Sequence, residues 1–338
     1  MKRLLLALTL LYCGHVRAQD DTTDNIDYSK FGDAEGVKRY ATPRVLNQSP
    51  LRIISIGYEY QFAFDMPSVP HYDSVGVPGN YRVNRVSGLR FQANIPIISN
   101  TKIIWQMGAS YWHSGWNFEN TRSNPFIAKL NEKGMHTAGI NTFIFKPLNE
   151  KNFIVAQLSA DINGVFDRIG DINSKAITYG GAILFGWKTS DKNAFAVGLS
   201  RTYRAGQPIV VPTVLWNKTF NDRWGMELLL PARAHLRYNI SASNLLQLGY
   251  ELEGNQYWMQ TPSPNGQVFI QRGELKPRIM WDRKLWGFFW LNLQAGLRYN
   301  WRFDVMNEYN SKKKSERFFS SALRNPFYVG INISFVSP

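Results

Sequence analysis

The sequence predicts an all-β fold, an antiparallel up-and-down transmembrane β-barrel of fourteen strands, with twelve as the alternative count. Three observations predict it. Stretches in which apolar and polar residues alternate recur about a dozen times with no helical pattern between them. A secretory leader precedes them. The last stretch, Phe327 to Phe335, sets apolar Phe327, Val329, Ile331, Ile333 and Phe335 against small or polar Tyr328, Gly330, Asn332 and Ser334. Successive strand side chains point to opposite faces, so such a segment has one greasy and one wet side. An open sheet edge is not sustainable in lipid, so the final strand is expected to pair with the first.

The leader is read over residues 1–18. Met1-Lys2-Arg3 precedes an apolar run from Leu4 to Tyr12, and Val16-Arg17-Ala18 supplies the small-residue cleavage pattern. The run is too short to span a bilayer. Tyr12 stands where a lipobox before Cys13 needs a small side chain, which argues against lipidation. Cleavage after Ala18 removes Cys13, the sole cysteine, and leaves no thiol for disulfides, metal ligation or nucleophilic catalysis. It also removes three of the 39 basic residues, leaving 36 against 25 acidic and a net charge of +11. For an exported chain this points to lipopolysaccharide phosphates and anionic lipid as contacts rather than nucleic acid. Mean hydropathy is only −0.29, as expected when lipid-facing and lumen-facing residues alternate. The 14% aromatic content, with eleven Trp, suits girdles at the two membrane interfaces.

Residues 19–50 are read as a periplasmic lead-in, acidic and then basic, that is mobile or tucks into the barrel mouth; the barrel is assigned to 51–338. In the first strand Ile54, Ile56, Tyr58, Tyr60, Phe62 and Phe64 share one face. After a loop from Met66 to Asn80, the second sets Tyr81, Val83, Leu89, Phe91 and Ile95 against Arg82, Asn84, Gly88, Arg90, Gln92 and Asn94. A turn at Ser99-Asn100 leads to the third, with Trp105, Met107 and Tyr111 outward, and a long loop is expected from His113 to Lys133. Strands four to eight put Ile140, Leu158, Tyr179, Leu199 and Val210 among their outward residues, with turns at Pro147 to Lys151, Ser190 to Asn193 and Asn221-Asp222.

Trp224 to Ile240 reads as one long strand or as a hairpin. Pro231 lacks the donor a central strand needs, so a hairpin there is preferred. The hairpin gives fourteen strands and keeps short turns on one side, periplasmic by the usual rule, and long loops on the other. Beyond it come Leu246 to Leu252, the Thr261 to Gly266 loop, Leu275 to Trp281, a turn at Asp282-Arg283-Lys284, then Phe289 to Trp301 and a long external segment from Arg302 to Arg324. Gly57, Gly88, Gly108, Gly139, Gly180, Gly198, Gly225, Gly249, Gly296 and Gly330 all fall on the wet parity, as the curved inside of a filled barrel requires.

The predicted lumen holds charges of both signs: Glu59, Arg82, Arg90, Asp161, Glu227, Arg233, Arg237, Glu251, Glu253, Glu274, Lys276, Arg278 and Arg298, with His235 among them. Mixed signs point first to mutual pairing. If a solute path exists, Arg82, Arg90, Arg233, Arg237 and Arg298 favour anions, because guanidinium forks grip carboxylate and phosphate. The pair His113-Ser114 forms a nucleophile and base only if the strand has ended by Trp112, since adjacent strand residues face opposite ways. The four mature His show no recurring spacing, so neither metal nor cofactor is expected. Lys312-Lys313-Lys314 is read as a solvated or lipopolysaccharide-facing patch.

The layout resembles uncharacterised outer-membrane β-barrel families of Gram-negative bacteria, and the terminal strand looks like the aromatic-ended signal read by the barrel-assembly machinery, with Phe335 as the terminal aromatic and Tyr328 upstream. Val336-Ser337-Pro338 after the Phe departs from that signal. The resemblance implies an outer-membrane location and an assembly partner. The expected function is a non-enzymatic pore or solute-binding barrel for a small solute, anionic where the arginine set lines its path. The alternatives are a plugged barrel with a structural or surface role and an outer-membrane lipid hydrolase.

Overall fold

Short turns built on Asn side chains set the first level of the structure. Asn100, Asn149 and Asn221 each accept two backbone N–H groups from residues two and three further on, at 2.7 to 3.0 Å. Such side-chain caps satisfy a tight reversal without a helix. In this computed structural model the described residues run from 41 to 337, excepting 43, 72–78, 122–123, 167–172, 205 and 262–265. The leader and residues 19–40 lie outside the described residues.

The strands are β1 (Arg52–Gln61, continued by Phe64–Pro70), β2 (Gly79–Ser99), β3 (Ile104–Phe118), β4 (Met135–Pro147), β5 (Asn152–Val165), β6 (Ile177–Ser190), β7 (Asn193–Arg204), β8 (Gln207–Thr219), β9 (Trp224–Leu230), β10 (Arg233–Ser241), β11 (Asn244–Gln260), β12 (Gln267–Trp286), β13 (Phe289–Leu297, continued by Tyr299–Met306) and β14 (Arg317–Ser321, continued by Phe327–Val336). Each pairs antiparallel with its chain neighbours, and β14 returns to β1, with Tyr58 opposite Ile331 and Ser68 opposite Ser321. The barrel is therefore closed at fourteen strands, and the hairpin at Pro231 is real. Ile54, Phe91 and Ile331 point out of it and are 38 to 47% exposed, a greasy exterior that only lipid would cover.

The wet parity of glycine has a steric cause. A Cβ on Gly198 would lie 1.9 Å from the Ile183 carbonyl oxygen, a backbone atom, whereas one on Gly57 would meet first the movable tip of Asn332 and then the Ile331 carbonyl oxygen at 2.8 Å. Gly198→Ala is expected to destabilise the barrel by about 1–3 kcal/mol and Gly57→Ala by less, read from urea midpoints of the two variants in one lipid system.

Four expectations need correcting. In β2 the ladder slips between Val83 and Arg85, so Tyr81 and Val83 turn into the barrel while Arg82 faces out and pairs with Asp65 at 2.9 Å. A one-residue slip flips every side chain beyond it. A break after Gln61 does the same to Phe64, which is buried. The stretch from His113 to Lys133 is not all loop: β3 continues to Phe118, and a helix α1 (Pro125–Lys133) follows. Asn124 caps α1 by accepting from Phe126 and Ile127 N–H, and Gly134, at φ +68, ends it. The reversal placed at Asp282 to Lys284 comes after Trp286, where Gly287 adopts φ +49.

Two buried apolar clusters lie toward opposite ends of the barrel. At the long-loop end Phe126, Ile127 and Leu130 of α1 pack with Met66, Val83, Trp116, Met259, Phe303 and Phe319 from strands around the wall. The tip of β11 leaves the wall there and pairs in parallel with β5, Trp258 opposite Gly164 and Met259 opposite Val165. At the short-turn end Phe145, Phe153, Val155, Leu184 and Ala196 form a second cluster with Ala41. Residues 41–50 run beneath it: Ala41 N–H donates to Asn149 O at 3.0 Å, Leu46 N–H to Asp191 O at 2.8 Å, and Thr219 Oγ1 to Leu46 O at 2.5 Å. This part of the lead-in tucks against the barrel mouth.

Candidate functional site

Between the two cores the lumen divides into a charged side and an apolar side. The charged side is built by β1, β2 and β11 to β14. Period-two spacing puts Glu251 and Glu253 of β11 on the same face, and Glu274, Lys276 and Arg278 of β12 opposite them in the ladder. Arg298, between the two parts of β13, reaches the centre. It is fully buried, bonds Glu274 at 2.6 Å and pairs with Glu59. Arg90 reaches Glu59 at 3.1 Å; Arg278 reaches Glu251 at 2.5 Å; Lys276 pairs with Glu253; Arg272 holds Glu274 at 2.9 Å. Five cations thus face four carboxylates. The Trp112 ring lies under Arg90 at 4.3 Å and Arg298 at 5.5 Å, and Tyr328 lies 5.1 Å from Arg298. Desolvated charges in such a lattice are held by one another and leave little for a solute to grip.

A smaller cluster seals the short-turn end. Arg237 donates to Glu227 at 3.0 Å and to Thr219 at 3.0 Å, while Ser49 donates to Glu227 from both its N–H, at 2.9 Å, and its hydroxyl, at 2.6 Å. The residue pair that sequence reading placed in the lumen therefore anchors the lead-in.

The apolar side is a cavity of about 680 Å³. Val155, Ala182, Leu184, Val211, Leu215 and Leu229 supply its aliphatic wall from β5, β6, β8 and β9. Gly180, on the inward parity, adds no side chain to it, and Arg204 and Arg233 stand at its edge. A mostly apolar concavity with a few polar groups is the form that small-molecule sites take.

Of the predicted lumen residues, Glu59, Arg90, Glu251, Glu253, Glu274, Lys276, Arg278 and Arg298 come together in the lattice, and Glu227 and Arg237 in the lower cluster. Arg82 lies outside. Arg233 is the one member of the predicted arginine set that lines the cavity. Asp161 faces inward beside Gly139, and His235 is buried against Gly249. Sequence reading missed Trp112 and Arg272 in the lattice and the whole aliphatic wall. His113 and Ser114 sit on a continuing strand opposite His136 and Met135, so they face opposite ways and do not form a nucleophile and base. Among the described residues no three His, Cys, Asp or Glu side chains group as a metal site requires. Phe335 packs against Phe288 and Phe289 at the short-turn rim, whereas Tyr328 points inward.

Three solved structures illustrate the fold likeness. A Pseudomonas aeruginosa FadL homologue is 9% identical with TM-score 0.40, over 85% of this chain and 90% of that one. An outer membrane channel from Pseudomonas putida F1 is 10% identical with TM-score 0.37, over 86% and 97%. The P. putida toluene transporter TodX is 8% identical with TM-score 0.36, over 84% and 90%. No curated protein matches the sequence. A family model described as a domain of unknown function, DUF6268, matches residues 82–336.

Proposed function

Since the chain belongs to the DUF6268 family, a domain of unknown function, we propose from its own geometry that it is a non-enzymatic outer-membrane channel that binds and passes a small, largely apolar solute. The observation that carries this is the partition of the lumen: Glu59, Arg90, Glu251, Glu253, Glu274, Lys276, Arg278 and Arg298 are held in ion pairs, and a cavity of about 680 Å³ beside them is walled largely by aliphatic side chains. The anion preference expected from the arginine set loses its basis at Arg82, Arg90, Arg237 and Arg298, each of which already holds a carboxylate. Arg233, at the cavity edge, is what remains to meet an acidic end of such a solute.

The closed barrel, its lipid-exposed belt and the secretory leader support placement in the outer membrane. Short turns then face the periplasm and the α1 core faces outward. The terminal Phe335 at the rim suits recognition by the barrel-assembly machinery, and the lysines near 312–313 suit lipopolysaccharide phosphates.

Titration of the purified, lipid-reconstituted protein with a naphthylamine fluorophore tests the reading. Saturable blue-shifted emission is expected, displaced by toluene but not by phosphate. Planar bilayers holding the same protein are expected to show no ion steps. An absence of saturable binding, or steady anion-selective steps, would overturn it. The plugged-barrel alternative draws on the same two cores and predicts neither binding nor conductance.

A further inference from the structure

The slip between Val83 and Arg85 in β2 turns two consecutive side chains outward. Asn84 is the extra residue, and Arg85 resumes the ladder opposite Asn117. All three are exposed, and Asn84 Nδ2 donates to Asn117 Oδ1 at 3.1 Å on the outer face. Bulges at the rims of barrels re-aim side chains in this way. β1 is interrupted at the same height, between Gln61 and Phe64, so the slip faces a break in its neighbour.

Below the slip the outer surface is hollowed. Ser87 and Gly115 lie opposite each other in the ladder and supply almost no side chain. Around them Tyr58, Leu89, Arg85, His113 and Asn117 enclose a depression of about 360 Å³. Tyr58 and Leu89, 44% and 55% exposed, form its apolar wall, and Arg85, His113 and Asn117 carry its polar groups. Among the described residues Arg85 pairs with no carboxylate, whereas its neighbours Arg82 and Arg90 hold Asp65 and Glu59. The Asn117 oxygen is taken by Asn84, which leaves its amide N–H groups to donate outward.

The height of the depression follows from strand geometry. On β3, Trp105 marks the lower aromatic belt, and His113 and Asn117 stand eight and twelve residues further on. At ~3.3 Å per residue and a tilt of ~40° these are rises of about 20 and 30 Å, against an apolar belt of ~25 Å. The depression therefore straddles the outer edge of the hydrocarbon layer. Its apolar wall meets acyl chains, and its guanidinium stands where headgroup phosphates lie.

We propose that this depression is a lipopolysaccharide site: a lipid A phosphate sits on Arg85 and Asn117, and an acyl chain of the same molecule lies against Tyr58 and Leu89. A guanidinium fork grips phosphate oxygens bidentately, and it gains most where an anion meets it at the edge of a low-dielectric layer. The site rests on the outer-membrane placement and is independent of what the lumen cavity binds.

Titration of the detergent-purified protein with diphosphoryl lipid A, with the complex counted by native mass spectrometry, tests the site. Arg85→Glu is expected to weaken binding of the first lipid A at least about tenfold, and Asn117→Leu to weaken it in the same direction by less. Lys102→Glu, the same charge change at the opposite end of β2 and β3, is expected to leave it unchanged. All three positions are exposed, and heat-dependent electrophoretic mobility confirms that each variant is folded. Lipid A stripped of its phosphates is expected to bind at least about tenfold more weakly than the diphosphoryl form. Equal affinity of the parent and Arg85→Glu, or of the two lipids, would overturn the site. Displacement of lipid A by millimolar inorganic phosphate would overturn the lipid as its occupant. Membrane fractionation of the parent reads the placement separately: a chain found in the inner membrane removes the ground on which the site stands, whereas an outer-membrane chain whose Arg85→Glu variant binds lipid A normally loses the site alone.

Discussion

Arg298→Met is expected to be the most damaging single substitution in this barrel, lowering its stability by about 3–5 kcal/mol. The side chain is fully buried and stands between Glu59 and Glu274, themselves 3% and 1% exposed. Removing one partner of a buried ion pair strands the opposing charge in a place water does not reach, and that costs more than the pair itself contributes. Here one deletion strands two carboxylates. Arg90 still reaches Glu59 and Arg272 still reaches Glu274, which keeps the loss from being additive. The check is urea unfolding in lipid, followed by Trp fluorescence and by heat-dependent electrophoretic mobility. Arg298→Lys is expected to recover part of the loss, because a cation again stands between Glu59 and Glu274. A simple cavity effect would instead leave Arg298→Lys as weak as Arg298→Met, whose side chain is of similar volume.

This lattice also shows what a sequence can reveal about a barrel. Its members were legible because the period of a strand is two and the ladder is local: once Glu251, Glu253, Glu274, Lys276 and Arg278 are placed on the wet face of consecutive strands, acids and bases lie within one rung of each other. The hairpin at Pro231 was legible for a similarly local reason, a missing N–H donor. Arg82 was not, since the slip between Val83 and Arg85 is a single-residue event with no composition of its own, and everything before it changes sides. The turn after Trp286 escaped because charged residues continue along a strand that projects past the belt, where water accepts them. The parallel contact between β5 and β11 joins residues far apart in the chain and leaves no periodic trace at all.

The aliphatic wall left a trace that alternation conceals. Phe153-Ile154-Val155, Ala182 to Phe185, Ile209-Val210-Val211 and Leu228-Leu229-Leu230 are apolar on both parities. A lipid-facing strand needs only every second residue to be greasy. Consecutive apolar residues on four nearby strands, β5, β6, β8 and β9, mean that the inside is greasy too, and this is the side where the cavity lies.

Filling that side should silence the protein without unfolding it. Ala182 and Leu215 both line the space, one on β6 and one on β8, and Gly180 beside Ala182 adds no side chain to it. Replacing both by Trp places two indoles in a volume of about 680 Å³. The two exchanges add roughly 200 Å³ of side chain, which moves the space toward the lower end of the 300 to about 1,000 Å³ that holds a drug-sized molecule and narrows it between β6 and β8, where the naphthylamine probe would lie. Binding is expected to weaken at least ten- to a hundred-fold, about 1.4–2.8 kcal/mol. Stability is expected to change by less than about 2 kcal/mol, because both positions touch the Phe145 and Phe153 cluster yet also border the open cavity, which takes up much of each indole. Trp at Gln92, on the charged side, is the matching control and should leave affinity unchanged. If the Ala182→Trp, Leu215→Trp variant bound the probe as the parent does, the solute would have to sit elsewhere, and the aliphatic wall would be filling rather than site.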